Sequence, residues 1–464
     1  MFKRNKWMPI LSILMIFTLL FTACGGGSKP TAADTDTKTA EEQQPKEETA
    51  DQTKEEEKAS EPEKPTIDMK GKPVRVVSWG YAGGEAGTEA GDKRIELEKE
   101  LEKKYNTKFQ FSQIPWDGIQ DKVTASIMAG EPIADVFLLD RYRAIPTMVQ
   151  KDFLMPVDDV LDIDSGKWPK NLREMGGFGG KVYGFATSLG GGGGIYYNRK
   201  ILKNEGLPDP QELDEKGEWN WDTFLDIAKK ATKDTNGDGK IDQYGLALSH
   251  KNFVPAIIAS NNADVTKEEN GTLTFDGDSP NAMEALHFVS DLYNVHKVVK
   301  PNQSGNWDDY ITSFNQGNIA MRYGEGWEGG GIKENLGKDY GFTYIPKGPK
   351  ATDYANVTTP SFWFVPKGAN PDAVRIYAEY IFGYMPPEGE VDEYVEQQFA
   401  DEKSLQVYED LGNIMKPKNY EGIPNFGDKI NDAWAQITAG KESPETAMKK
   451  VRPVLEGLLK ESLK

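Results

Sequence analysis

Residues Asp121–Asp140 read DKVTASIMAGEPIADVFLLD, and the fold class follows from them. Ile119, Val123 and Ile127 recur every four residues, one face of a helix expected over Asp117–Ala129 and stopped by Gly130. Ala134–Leu139 (ADVFLL) is then a short apolar run, as a strand buried in a parallel sheet would be. Upstream, Phe109 and Phe111 alternate with polar neighbours in strand fashion. Leu97, Leu101 and Tyr105 line one side of a charged helix over Asp92–Tyr105. A Gly-rich loop, Gly80–Gly91, connects that helix to the β-rich segment Lys72–Trp79 (KPVRVVSW). Strand, helix, strand, helix, strand opens a doubly wound α/β sheet, and ligands of such sheets lie beyond the carboxyl ends of the strands. Trp79–Gly84 (with Tyr81), Trp116 and Asp140–Arg143 (with Arg141) are therefore expected around one cleft edge.

Two later segments read as crossings between lobes. Gly180–Asn198 (GKVYGFATSLGGGGGIYYN) is extended on both sides of five consecutive glycines, and Tyr354–Pro366 (YANVTTPSFWFVP) is the second. Helices are expected over Trp221–Thr232 and Asn281–Tyr293 between them, and over Asp428–Ala439 and Pro444–Leu459 after them. Trp219 and Trp221 read as fixing the start of the first of these helices.

The first residues carry Lys3, Arg4 and Lys6, followed by an apolar stretch, Met8–Ala23, too short for a comfortable membrane span. This pattern is expected to be a secretory signal over residues 1–23. The run ends Leu20-Phe21-Thr22-Ala23-Cys24-Gly25, which resembles a bacterial lipobox, with Phe21 where leucine is usual. Cys24 is the sole cysteine, so no intramolecular disulfide or thiolate metal cluster can form. Its reading is a lipidation site whose acyl chains (palmitate among them) anchor the protein to the outer face of the cell membrane. Residues 24–66 follow as a Gly-, Glu-, Lys- and Pro-rich stretch without an aromatic residue, expected to be a disordered tether. The remaining chain of about 400 residues suits two lobes with separate cores. A formal net charge of −19 argues against a nucleic-acid partner, and ten tryptophans invite a stacking surface.

Four stretches, taken in order, resemble extracellular solute-binding protein family 1, the group that contains maltose-binding protein and many Gram-positive sugar-binding lipoproteins. They are Asp121–Asp140, Gly180–Thr187 (GKVYGFAT), Tyr196–Ala228 (YYNRKILKNEGLPDP…WNWDTFLDIA) and Phe314–Trp327 (FNQGNIAMRYGEGW). Gly440–Ala447 (GKESPETA) is a weaker match. The resemblance implies a two-lobed, type II periplasmic-binding-protein-like α/β fold, each lobe an open sheet flanked by helices, with a hinge that closes on ligand. It implies one lobe over 67–185 and 360–410, and another over 190–355 and 411–464. It also implies a monomer that delivers an oligosaccharide to the membrane subunits of an ABC importer and performs no catalysis.

A sugar ring offers hydroxyls at its rim and C–H patches on its faces, so its site needs flat aromatic platforms together with polar donors and acceptors. Trp327 falls where the family often places a stacking aromatic. Trp363 in the second crossing, Trp307 beside two aspartates, and Trp79, Tyr81 and Trp116 at strand ends are further candidates. Asp140 and Arg141 could bracket hydroxyls or cap their strand with a salt bridge, and Glu325 has the same two readings.

Asp234, Asn236, Asp238, Lys240 (through its carbonyl) and Asp242 match the ligand spacing of a calcium loop, with glycine at the turn. The twelfth position is Gly245 rather than glutamate, so this is not an EF-hand. It is similar to calcium loops of some family members, and calcium is expected there in a structural role. The rival readings are an exported enzyme acting on polysaccharide and a binding protein for a peptide or metal complex. No nucleophile elbow, HExxH or phosphate loop supports the first, and His250, His287 and His296 are scattered.

Overall fold

The structure is a computed structural model of the chain and describes residues 67–269, 272–302, 306, 308–385 and 393–462. The expected signal (1–23), the tether (24–66) with Cys24, and Trp307 lie outside the described residues.

The three apolar or alternating segments read at the start form adjacent strands. The first sheet has the order Phe109–Gln113, Val74–Ser78, Val136–Asp140, Ser361–Phe364, Gly184–Phe185. The first three are parallel, with Val74 opposite Phe109 and Val76 opposite Val136. Ser361–Phe364 runs antiparallel to both its neighbours. The crossover helices are Glu89–Tyr105 and Ile119–Met128. Thr88 starts the former by accepting from the Gly91 amide, and Asn106, in left-handed backbone, ends it. Val76, Leu101, Val123, Phe137, Leu139, Phe364 and Tyr377 belong to one buried core.

The second sheet has the order Tyr340–Thr343, Gly193–Asn198, Ile319–Glu325, Tyr244–Ala247. Both faces are covered. Ile195 and Tyr197 point into a core shared with Phe224, Phe253, Leu286 and Trp434. Tyr196, between them, points the other way, toward Phe342, Phe314, Phe399, Val407 and Leu411. This second face corrects the expected lobe border. Residues 393–410 were expected with the first sheet, yet Phe399, Val407 and Leu411 pack on the second. Ser404 Oγ accepts from the Phe342 amide at 3.0 Å, and Tyr340 Oη donates to the Gln398 carbonyl at 2.8 Å. A sheet with an apolar face needs a cover, and this segment supplies it.

Three segments cross between the lobes, one more than expected. Residues 186–192 and Asn356–Thr358 are joined by Met415–Pro417, which pairs in parallel with Asn356–Thr358. The fully buried Asn356 ties them together, its Nδ2 donating to the carbonyls of Gly191 at 2.9 Å and Leu411 at 3.0 Å. The glycine run is a packing requirement here. A Cβ on Gly191 would lie 2.1 Å from the Tyr408 carbonyl oxygen, and one on Gly193 would lie 2.0 Å from Tyr323 Oη.

Candidate functional site

Strand ends of both sheets and two of the crossings meet around a cavity of about 520 Å³. The first lobe contributes Tyr142, and the second contributes Asn252, Glu325 and Trp327. Thr358, Thr359, Lys418 and Glu421 come from the crossings and the turn that follows them. Asn425, Asp428 and Asn431 come from the start of the helix Phe426–Thr438.

Trp327 sits on a short turn, Gly326–Glu328, directly after the strand Ile319–Glu325. Glu328 holds that turn, accepting from the Glu325 amide at 2.7 Å and from Arg322 at 2.6 Å. Arg322 is fully buried, with the ring centroids of Tyr196, Tyr310 and Phe314 at 5.1, 5.6 and 5.6 Å from its guanidinium carbon. The fixed turn leaves Trp327 60% exposed beside the cavity. Glu325 accepts from Tyr323 Oη at 3.2 Å. Burial pushes its carboxyl above the usual carboxylate range, with the Lys418 charge opposing.

On the first-lobe side, the strand Val136–Asp140 ends in a carboxylate that accepts from Trp116 Nε1 and Ser361 Oγ, each at 2.8 Å. Burial raises the Asp140 carboxyl, and these two donors partly counter it. The Arg143 guanidinium lies 4.3 Å from the Trp116 ring centroid and donates to the Trp116 carbonyl. Trp116 itself is 47% exposed. Burial, then the carboxylates of Asp140 and Glu421, push the Tyr142 phenol up to about 12, so it keeps its proton at neutral pH. Thr359 Oγ1 donates to Glu421 at 2.6 Å, and Lys418 Nζ stands 3.9 Å from the same carboxylate. Aromatic surface from two lobes around polar donors and acceptors can hold a hydroxyl-rich ring without reacting with it.

The sequence profile of the bacterial extracellular solute-binding proteins matches residues 84–383. The chain belongs to this family. Among curated proteins none matches. Solved structures of similar fold include the Listeria monocytogenes ABC substrate-binding protein in complex with cycloalternan, at TM-score 0.62 and 18% identity, covering 84% of this chain and 99% of that one. A Staphylococcus aureus extracellular solute-binding protein with maltose matches at 0.63 and 16%, covering 84% and 98%. A Mycobacterium tuberculosis protein with glycerophosphocholine matches at 0.64 and 15%, covering 84% and 99%.

In this solute-binding protein, Trp327 and Glu325 line the cavity. Trp116 and Asp140 are hydrogen-bonded to each other, with Ser361 also on Asp140, and neither lines the cavity. Arg141 does not line the cavity. It is 3% exposed, with Nε donating to the Met175 carbonyl at 2.5 Å and its other nitrogens to Asn419 Oδ1 and the Gly177 carbonyl. Its side chain fastens the third crossing instead of capping the strand. Trp363 does not line the cavity either: partly buried, it packs edge-on against Tyr377 at 4.8 Å, against the first-lobe core. Trp79 packs against that core, and Tyr81, 45% exposed, meets Phe111 edge-on at 5.7 Å; neither lines the cavity.

Trp219 and Trp221 do fix their helix start. Trp219 Nε1 donates to the Tyr344 carbonyl at 2.7 Å, and Trp221 stacks on Phe288 at 4.4 Å. Tyr142 falls in the segment expected at the cleft edge, whereas Asn252, Thr358, Thr359, Lys418, Glu421, Asn425, Asp428 and Asn431 were missed. The only signal for the later ones was the loop chemistry of Pro417, Gly422 and Pro424 between two helices.

The loop 234–242 is built by its own amides. Asp234 accepts from Gly237 and Gly239, Asn236 from the Asp238 amide, Asp238 from the Lys240 amide, and Asp242 from Thr235. Among the described residues no three His, Cys, Asp or Glu side chains are grouped to hold a metal ion.

Proposed function

We propose that the chain is an extracytoplasmic lipoprotein, anchored through Cys24, that captures an oligosaccharide and presents it to the membrane subunits of an ABC importer by closing its two lobes. The observation that carries the reading is a cavity with Tyr142 from one lobe and Trp327 from the other. Closure about the three crossings would bring a ring face against the indole and its hydroxyls against Thr359, Glu421, Asn425 and Asp428. The sugar complexes of the Listeria and Staphylococcus neighbours support a carbohydrate as the ligand class. The protein acts as a monomeric receptor and not as an enzyme.

A thermal-shift screen against plant and microbial oligosaccharides tests this directly. The expected result is a saturable rise in melting temperature with one glycan class and no turnover of it. Release of shorter products would make it an enzyme, and a shift only with peptides would replace the ligand class. Calcium at Asp234, Asn236, Asp238, Lys240 and Asp242 is also our proposal, resting on the oxygen spacing of the loop.

A further inference from the structure

We propose that this cleft selects a carbohydrate bearing no acidic group, with Glu421 as the central determinant. The inference rests on the carbohydrate reading above and narrows it.

Three carboxylates line the cavity, Glu325, Glu421 and Asp428, against one ammonium, Lys418. Lys418 is almost fully buried and already faces Glu421 at 3.9 Å. On the first-lobe side, Arg143 is engaged with the ring and carbonyl of Trp116. Asp140 adds a fourth carboxylate just beyond Tyr142.

Glu421 occupies the meeting point of these charges. Its carboxylate acts electrostatically on Asp140 and Tyr142 from the first lobe and on Glu325 from the second. An acidic sugar placed between the lobes would sit in the combined field of all of them. In a partly buried site that repulsion is far stronger than in water.

The hydrogen-bonding inventory points the same way. Asp428 is exposed at the cavity wall. Its carboxylate oxygens only accept, so a ligand group facing Asp428 must bring donors. A hydroxyl or an ammonium supplies them. A carboxylate, sulfate or phosphate placed beside Asp428 brings only more acceptors and like charge.

The test is calorimetric titration of the purified full-length protein with four ligand sets. These are neutral tetrasaccharides (maltotetraose, cellotetraose, xylotetraose and the methyl ester of tetragalacturonate), chitosan tetramer, tetragalacturonate itself, and glycerophosphocholine. The tightest ligand is expected among the neutral or amino sugars, at least tenfold tighter than any acidic one. Glu421→Gln is expected to narrow that gap at least fivefold, and Asp428→Asn, at an exposed position that cannot unfold the core, to narrow it less. An acidic sugar as the tightest ligand overturns the inference while leaving the carbohydrate reading intact, as does a gap unchanged in both variants. Binding of glycerophosphocholine alone, or of no sugar at all, removes the carbohydrate reading itself and the inference with it.

Discussion

Replacing Glu328 by alanine tests how the cleft is held in shape. The variant leaves the Arg322 guanidinium fully buried with its 3.1 Å bond to the Tyr323 carbonyl and the three surrounding rings. Removing one partner of a buried ion pair costs about 3–5 kcal/mol, because the remaining charge has no counterion. The carbonyl and the ring faces persist, which places Glu328→Ala near the lower end, at about 3 kcal/mol. A unit of 150–250 residues loses roughly 2–4 °C per kcal/mol, so the melting transition of the second lobe should fall by roughly 6–12 °C by calorimetry. The double variant Arg322→Met/Glu328→Gln removes both charges and should recover more than half of the loss. Glu328→Ala also frees the Glu325 amide and the turn bearing Trp327, so glycan affinity should drop even where the protein remains folded. A loss below about 1 kcal/mol, or a double variant as unstable as the single, would refute the reasoning.

Trp327→Ala should weaken glycan binding roughly tenfold, or about 1.4 kcal/mol, without moving the melting temperature of the free protein, since the ring is largely exposed; titration and melting read the two effects separately. Gly193→Ala should destabilise by about 1–3 kcal/mol in urea denaturation, because its Cβ meets Tyr323 Oη, and Tyr323→Phe should restore part of that. Glu325 has a carboxyl raised by burial, so the folded state loses stability as pH rises from the ordinary value of 4.5 through the folded one. Glu325→Gln should therefore gain melting temperature over the parent at pH 7.5 and gain almost nothing at pH 4. Chelation should lower the melting temperature if loop 234–242 holds calcium, and Asp238→Ala should abolish the difference; an unchanged melt with no calcium in the protein ends that proposal.

Regular elements were legible because their burial is periodic. Leu101 and Val123 enter the first-lobe core from helices that begin and end within a few residues of their expected bounds. Exposed rings were legible where they follow a strand, as with Trp327 and Trp116. Trp363 could not be told from a ligand platform, since a crossing strand presents one face to a helix and the sequence does not say which. Arg141 was misread because its partners, Met175, Gly177 and Asn419, are brought near only by the fold. The third crossing carries no periodicity, being three residues long, and with it went Lys418 and Glu421. The segment 393–410 was assigned to the wrong lobe because amphipathicity shows that a helix covers a sheet without showing which one.

Solution scattering of the purified protein, with and without a saturating glycan found by the screen, bears most directly on the two lobes shutting over a sugar. The radius of gyration should fall on binding, and the fall should vanish in Trp327→Ala at the same glycan concentration. An identical scattering curve with bound glycan would contradict closure as the means of capture.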